Sequence, residues 1–530
     1  MKSELEHTIN AEEVITVTGK RIFRIVCRGS WLSLAQAEIF KKKVTEKYPF
    51  IKMEVVIKDT AGDKNQTTPL HLIDGKDFFT KEIQEYLETG DADFAVHSMK
   101  DVSGELYFKE NYYAVIGRND LRDVAIFNSN VIEKLKTGEK IVIGTSSPRR
   151  SEMASSFLKN ALPQFLKRKP QIETIPIRGN VDSRLKKLVK TGQFDGIILA
   201  AAGLNRLLEF ELSCFDIQKL LLNTKIMYLP LFECPPAAGQ GAIVVETTKS
   251  NYGAIEILMT IKDKQVHKDI FLERKIADKY GFGCSQQFGT FQLHTDSISF
   301  GYTSGLNKEM ISFSEWDFTA SSSMLTEPLF SATDYMKEFF DYEFINDQQI
   351  DKNVKAIFVS SHKAIHSVDL VNQVSLKKVW VAGSKTWMEL AKKGIWIEGS
   401  ADGLGFEYIT NILNTPLVKL LPDDIQILTN SASAIQWMKE GYLAMPTYLL
   451  IPALSAELSL TISNAQTIFW TSFQQYQLCK KLIKPSAIHI CLPGKTAQQL
   501  QEEGIQPIIF PSIKAFNEWR IKHTPVTVEE

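Results

Sequence analysis

Short apolar runs alternate with amphipathic stretches from about residue 21 to 245, and that periodicity leaves few folds open. "RIFRIVCR" reads as a strand, and the stretch after it places Leu34, Ala37, Phe40, Val44 and Tyr48 on one helical face. "FFTKEIQEYLETG" predicts a second helix stopped by Gly90, and "DADFAV" the strand that follows. Further on, "KIVIGT" runs into a helix at "SSPRRSEMASSFL", "ETIPI" runs into "DSRLKKLVKTG", and "DGIILAAAGL" reads as another buried strand. Strands alternating with helices predict an α/β fold with mostly parallel, doubly wound sheets, and the length suits two such lobes over 21–245.

Beyond about residue 290 the texture changes. "FGTFQLHTDSISFGYTS" and "KEMISFSEWDF" alternate as antiparallel strands, which predicts a small α+β domain over 246–325. A Ser/Thr-rich stretch, "TASSSMLTEPLFSAT", reads as a boundary. It is followed by an internal repeat: "AIFVSSHKAIHS" and "VWVAGSKTWMELAKKGI" are echoed by "TIFWTSFQQYQL" and "IHICLPGKTAQQLQEEGI", offset by about 110 residues. Two similar α/β lobes over 340–525 are the simplest reading, and 530 residues are in any case too many for one core.

With 61 basic against 62 acidic residues, no net field recruits nucleic acid or an anionic membrane, so anion binding has to be local. The N-terminal "MKSELEHTINAEEVITV" is acidic where a secretory signal is basic, and no apolar run approaches a membrane span, so a cytoplasmic protein is expected; a monomer is expected as well. Cys27, Cys214, Cys234, Cys284, Cys479 and Cys491 are scattered, with neither metal spacing nor a disulfide pattern; no metal is expected. "LPGKT" lacks the earlier glycine of a phosphate loop, since His489 stands there, which argues against nucleotide binding.

Ligands of parallel α/β sheets bind beyond the carboxyl ends of the strands. Three polar clusters fall there: Arg28-Gly29-Ser30, His97-Ser98-Met99-Lys100-Asp101, and Thr145-Ser146-Ser147 with Arg149 and Arg150; Arg178 and Arg206 also follow strands. Guanidinium forks match carboxylates, and hydroxyls complete such sites, so this half is suited to a small molecule with several carboxylates. Taken singly, each arginine reads equally as a surface ion pair, Cys284 as an inert small hydrophobe, and His97 as either a core histidine or a site residue.

In order and spacing, "RGSWLSLAQAE", "GDKNQTTPL", "GKDFFTKE", "ADFAVHSMKDV", "GTSSPRR", "IRGNVDSRL", "FDGIILAAAGLNRL" and "PPAAGQGAIVVE" resemble the porphobilinogen deaminase family over about residues 21 to 325. The resemblance implies two hinged lobes like those of periplasmic solute-binding proteins, and a small domain whose Cys284 holds a dipyrromethane cofactor through a thioether. It implies that porphobilinogen loses ammonia and is attacked by the free α-carbon of the anchored chain, four times over, before hydrolysis releases a linear tetrapyrrole. Asp101 matches the family's catalytic aspartate and Lys100 stands beside it; Lys76, Arg28, Arg149, Arg150, Arg178 and Arg206 would clamp carboxylates. Ser30, Ser98, Thr145, Ser146 and Ser147 would supply hydroxyls, and Phe79 would pack on a pyrrole. Leu72 replaces a common lysine, "CSQQFG" follows where "CQVPIG" is frequent, and Ser103 replaces a proline, none of which removes a catalytic group.

Residues 340–525 resemble uroporphyrinogen-III synthase. The resemblance rests on two "IFxxS" strands ending at Ser360-Ser361 and Thr471-Ser472, on "VAGSKTWMELAKKGI" and "CLPGKTAQQLQEEGI", and on "TYLLIP", where Tyr448 matches an active-site tyrosine. It implies that hydroxymethylbilane, held at Ser360, Thr471 and Ser472, is cyclised to uroporphyrinogen III. The family's "TRP"-like opening strand is absent, and "ILTNSAS" around Thr429 and Asn430 lacks the usual arginine. Two rival readings are a deaminase with an inactive appendage and a non-catalytic carboxylate-binding protein.

Overall fold

The computed structural model describes residues 22–58, 81–102, 111–280, 286–318 and 326–523. The first lobe holds β1 (Ile22–Arg28), β2 (Lys52–Lys58), β3 (Phe94–Ser98) and β4 (Asn111–Arg118). The chain then crosses through residues 119–122 into a second lobe with β5 (Asp123–Phe127), β6 (Ile141–Gly144), β7 (Ile172–Ile175), β8 (Gly196–Ala200) and β9 (Lys225–Tyr228). It returns through 229–241 to β10 (Ala242–Thr248) in the first lobe. The sheet orders are β2-β1-β3-β10-β4 and β7-β6-β8-β5-β9. Each sheet is parallel apart from one reversed strand, β10 in the first lobe and β5 in the second, and each reversed strand is the one whose chain has just crossed over.

Helices cover both faces, so β3, β5 and β8 are buried almost throughout and read as continuous apolar runs. Serines start two of these helices: Ser30 Oγ accepts from Ser33 N before Trp31–Lys47, and Ser147 Oγ from Arg150 N before Pro148–Ala161. One sequence expectation needs correcting. In "DGIILAAAGL" the strand stops at Ala200, and Ala201–Glu209 is a helix, because Ala and Leu hold no periodicity over so short a run that separates strand from helix.

Helices Tyr252–Ile261 and Lys264–Tyr280 lead into an antiparallel sheet of β11 (Phe288–His294), β12 (Ser299–Leu306) and β13 (Ser312–Asp317). The C-terminal half opens with β14 (Leu329–Ser331), ahead of the boundary expected at 340, and β14 pairs in parallel with a strand far downstream. Between them lies a lobe of β15 (Phe340–Phe344), β16 (Ala356–Val359), β17 (Lys378–Val381), β18 (Gly399–Ser400), β19 (Ile425–Asn430) and β20 (Leu443–Pro452), in sheet order β15-β20-β19-β16-β17-β18. The last lobe adds β21 (Thr467–Trp470), β22 (Ile488–Cys491) and β23 (Ile508–Ile509) beside β14. The sequence repeat corresponds to β16–β17 in one lobe and β21–β22 in the other, each pair parallel.

The two halves share their interior. One buried cluster joins Phe157, Leu158 and Ala161 to Trp387, Leu390 and Ile395, and another joins Ile197, Leu204 and Tyr228 to Trp380, Phe406 and Leu413. Trp387 Nε1 donates to Ala161 O at 3.0 Å, Gln164 N to Ala391 O at 2.8 Å, and Tyr228 N to Glu398 O at 2.7 Å. The second N-terminal lobe is therefore packed against the first C-terminal one as a domain packs against its own core. Among the described residues no helix is long and apolar enough to cross a membrane, and no group of three or more His, Cys, Asp or Glu could hold a metal.

Candidate functional site

Two clefts collect the polar residues. The first lies between the N-terminal lobes, at the carboxyl ends of β1, β3, β6, β7 and β8. From the first lobe come Arg28 and Ser30 after β1, Ser98 at the end of β3, and a 3-10 turn over Met99–Asp101 that carries Lys100 and Asp101. Ser98 Oγ accepts from Gln36 Nε2 at 2.7 Å, and the backbone N of Arg28 donates to Ser33 Oγ at 3.1 Å. The Asp101 side chain is exposed.

The second lobe faces them with Thr145, Ser146 and Ser147 after β6, each tied into the loop. Thr145 Oγ1 accepts from Ser147 N at 3.3 Å, and Ser146 Oγ donates to Ile177 O at 2.6 Å. Arg149 and Arg150 are buried and share one carboxylate: Arg149 Nη2 reaches Asp123 Oδ2 at 2.8 Å and Arg150 Nη2 reaches Asp123 Oδ1 at 2.7 Å. Arg149 also donates to Pro235 O at 2.7 Å. Arg206 donates to Asn119 Oδ1 at 2.9 Å and to Gly241 O. These three arginines are thus engaged within the protein, while Arg150 Nε and Arg206 Nε remain buried donors with no partner.

Contacts such as Arg206 to Asn119 and Gln240 to Asp123 bring the lobes together, and their charges act on one another. Burial pushes the Lys100 ammonium down to about 8, helped by Arg150 across the cleft and opposed by Asp101 and Asp123. Burial also lowers Arg184 to about 10, with Arg150 and Arg178 adding to the shift and Asp101 opposing it. Burial alone would raise the Asp123 carboxyl, but Arg149 and Arg150 hold it well below the usual carboxylate range. Arg184, whose Nε donates to Gly179 O at 2.7 Å, and Asp123 were not singled out from sequence; the signal was present in the "IRGNVDSRL" motif and in the lone acid opening the apolar strand "DVAIF". His97 belongs to the core: Nε2 sits 2.8 Å from buried Glu246 Oε1, which ties β3 to β10. Cys284, Lys76 and Phe79 lie outside the described residues.

The second cleft separates the C-terminal lobes and holds about 300 Å³ of space, at the lower end of the ~300–1,000 Å³ typical of ligand sites. Ser360, Ser361, Thr429, Asn430 and Tyr448 line it from one lobe, and Ser472, Gln474, Lys495 and Thr496 from the other. Ser360, Ser361 and Ser472 stand just past strand ends, Thr429 and Asn430 close β19, and Lys495 and Thr496 open a helix. Ser360 Oγ donates to Thr429 Oγ1 at 2.8 Å, and Tyr448 hydrogen-bonds Asn430 and Ser361, while burial raises its phenol. Thr471 does not line the cleft, because its hydroxyl donates to Gln475 Oε1 at 2.8 Å.

Helices Ser431–Lys439 and Lys495–Glu502 begin at this cleft, the second behind Gly494, which provides no side-chain cap. Gly494 has φ +83°, and a Cβ there would come within 2.8 Å of Gly405 Cα, so glycine is what lets the two lobes meet backbone to backbone. Lys495 spans the lobes, pairing with Glu407 at 3.1 Å and with Glu440, its ammonium 4.5 Å from the Trp437 ring centroid. Beside the cleft, burial lowers Lys363 to about 8, with Lys385 and Lys337 adding to the shift, and the Lys363 ammonium lies over the Tyr342 ring.

The family model for porphobilinogen deaminase, dipyromethane cofactor binding domain, matches residues 23–256. A porphobilinogen deaminase of Alkaliphilus metalliredigens is 34% identical over 318 residues, spanning 58% of this chain and 92% of the relative. One of Lachnospira eligens is 35% identical over 277 residues, spanning 52% and 85%. The solved uroporphyrinogen-III synthetase of Helicobacter pylori 26695 overlaps 35% of this chain and 91% of its own at 13% identity and a TM-score of 0.24, a likeness that leaves the C-terminal half to be read from its own geometry.

Proposed function

The chain belongs to the porphobilinogen deaminase family, and on that premise we propose that it is bifunctional: the N-terminal lobes assemble hydroxymethylbilane and the C-terminal lobes close it to uroporphyrinogen III. Porphobilinogen deaminase activity, a transferase step of tetrapyrrole synthesis, is the function its relatives carry, and its N-terminal segment is a dipyrromethane cofactor binding domain.

The first cleft fits a group that bears several carboxylates. Lys100, Arg150, Arg178 and Arg184 act on one another at close quarters, and two buried guanidinium Nε donors, of Arg150 and Arg206, have no partner. Bound through Cys284, the dipyrromethane supplies the free pyrrole α-carbon at which the chain grows. Lys100, Arg178 and Arg184 hold acetate and propionate groups, with Arg28 and the hydroxyls of Ser30, Ser98 and Ser147 beside them. Arg149, Arg150 and Arg206 set the cleft wall through Asp123 and Asn119. Asp101 projects an exposed carboxylate where positive charge develops on pyrrole nitrogen, and so stabilises it.

For the second half, the observation that carries the reading is a single cleft faced by strand ends of both lobes and walled by hydroxyls, helix N-termini and Lys495. With Lys363 and Lys385 alongside, that environment favours a flexible polycarboxylate. Linear hydroxymethylbilane closes spontaneously to the wrong isomer, and a second cleft on the same chain raises the local concentration of that intermediate where it is consumed. A second reading, in which the C-terminal half only braces the deaminase, is favoured by the shared core.

Isomer analysis separates them. Full-length protein supplied with porphobilinogen is expected to yield mainly the type III macrocycle, and Tyr448→Phe to shift the product toward type I by about tenfold or more, the scale of a lost site hydrogen bond. Type I from the wild type would leave only the bracing role. Cys284→Ser, made alongside, is expected to abolish the cofactor mass and all product.

A further inference from the structure

The segment 400–408 of the C-terminal half, which runs from the end of β18 into the helix Glu407–Leu413, has two faces. On one, Ala401, Gly403, Gly405 and Phe406 line the C-terminal cleft. On the other it touches both crossings between the deaminase lobes. Leu404 and Tyr408 pack with Leu121 of the first crossing and with Leu231 and Phe232 of the second, and Leu231 donates its backbone N–H to the Asp402 carboxylate.

The central contact is ionic. Arg122, 1% exposed, directs Nη2 to Asp402 Oδ2 at 2.7 Å and Nε to the same oxygen at 3.3 Å; its Nη1 reaches Asp120 Oδ2 at 2.6 Å, and its guanidinium lies 4.8 Å from the Tyr408 ring centroid. Asp402 is held in the left-handed region, φ +53°, which few residues other than glycine, asparagine and aspartate adopt, and its Oδ1 accepts from Ser400 Oγ at 3.0 Å. That conformation turns the carboxylate onto Arg122, Ser400 and Leu231, all of which bond it.

Arg122 is flanked by the residues that set the first cleft. Asp123, next in the chain, holds Arg149 and Arg150; Asn119, three residues earlier, holds Arg206; and Arg122 O accepts from Ala201 N, which opens the helix carrying Arg206. Gly241, on the second crossing, closes the same corner: with φ +84°, a Cβ there would meet Asn119 O at 2.6 Å.

We infer that Asp402 is a positioning residue for the deaminase reaction, fixing through Arg122 the inter-lobe crossing that presents Asp123 to Arg149 and Arg150 and Asn119 to Arg206. The inference rests on the deaminase activity of the family and not on cyclisation by the C-terminal half, so either can fail alone. Because the same segment walls the C-terminal cleft, this ion pair links the two clefts.

The test uses cofactor-loaded, full-length protein. Asp402→Asn keeps shape and removes the charge; Ser400→Ala, a milder change, removes one support of the carboxylate and guards against a failure of Asp402→Asn to fold. Trp396→Phe serves as the control, since it deletes a different hydrogen bond between the halves, Nε1 to Ile226 O at 3.0 Å. Deaminase kcat and KM are measured with the intact-mass distribution of partly elongated species at limiting porphobilinogen. Asp402→Asn is expected to lower kcat/KM by about tenfold or more, as small misplacements of site groups do, and to redistribute the elongation species. Ser400→Ala is expected to act in the same sense but less, and Trp396→Phe to lower the melting temperature with both readouts unchanged. Wild-type kinetics and distribution in both loop variants would overturn the inference, as would equal kinetic losses in Trp396→Phe.

Discussion

Asp123 is one carboxylate serving two buried guanidinium groups and the Gln240 amide, and it illustrates how a site residue can act without touching a ligand. In Asp123→Asn the side chain keeps its shape, but Arg149 and Arg150 lose the counter-charge they share in a desolvated corner. Leaving buried charge uncompensated costs ~3–5 kcal/mol, and chemical denaturation of the variant is expected to show a loss of that size, together with loss of deaminase turnover. The strand-end clusters were legible in sequence because Gly, Ser and Arg after an apolar run are local signals. Asp123 was not, since its partners stand 26 and 27 residues further on. The same gap explains why Arg149, Arg150 and Arg206 read as ligand clamps, whereas the structure shows them bonded first to Asp123 and Asn119.

At the scale of elements, the edge of β9 meets the C-terminal sheet at Glu398, whose carbonyl accepts from Tyr228 N at 2.7 Å. The Glu398 carboxyl has Lys378 and Lys225 nearby, yet burial dominates and pushes it up from 4.5 to about 7, and its Oε2 has no partner. Between those two values the folded chain holds a proton that the unfolded chain releases, so this group's contribution to stability falls as pH rises through the window and stays low above it. Glu398→Gln removes that fall. Its melting temperature is expected to match the wild type at pH 5 and to exceed it by about 2 °C at pH 8, the shift on the order of 1 kcal/mol gives in a large domain. Elements with long apolar periodicity were read correctly from sequence, as with helix Trp31–Lys47, but β14 was missed: three residues, Leu329–Ser331, are strand only because β21 lies alongside.

Across the whole molecule, the interface between the halves is part of the core. Trp387, fully buried, packs edge-on to Phe157 with ring centroids 5.2 Å apart, and Trp380 sits 5.8 Å from Tyr228. A chain stopped at residue 318 would uncover Phe157 and Leu158 in one cluster and Tyr228 in the other, apolar surface of the kind that drives aggregation. Such a truncation is expected to be largely insoluble, or to melt more than 10 °C below the full chain, a loss of several kcal/mol, as measured by light scattering and calorimetry. None of this was legible in the sequence, where Trp387 occupies an amphipathic helix pattern and Arg122 a charged turn. A buried face and a solvated one have the same local signature until a distant partner covers them.

The pairing of β14 with β21 also concerns the growing chain. Ser331 leaves the ribosome well before Thr467, and the intervening stretch forms another lobe, so β14 is made about 136 residues before its partner exists. At ~5–20 residues per second, the nascent chain carries an unpaired strand for roughly 7–27 s. Phe330, which ends fully enclosed, is in contact with solvent or a chaperone for that interval. Conditions that slow translation through the lobe between β15 and β20 therefore lengthen the exposure of this one segment and of no other strand in that sheet.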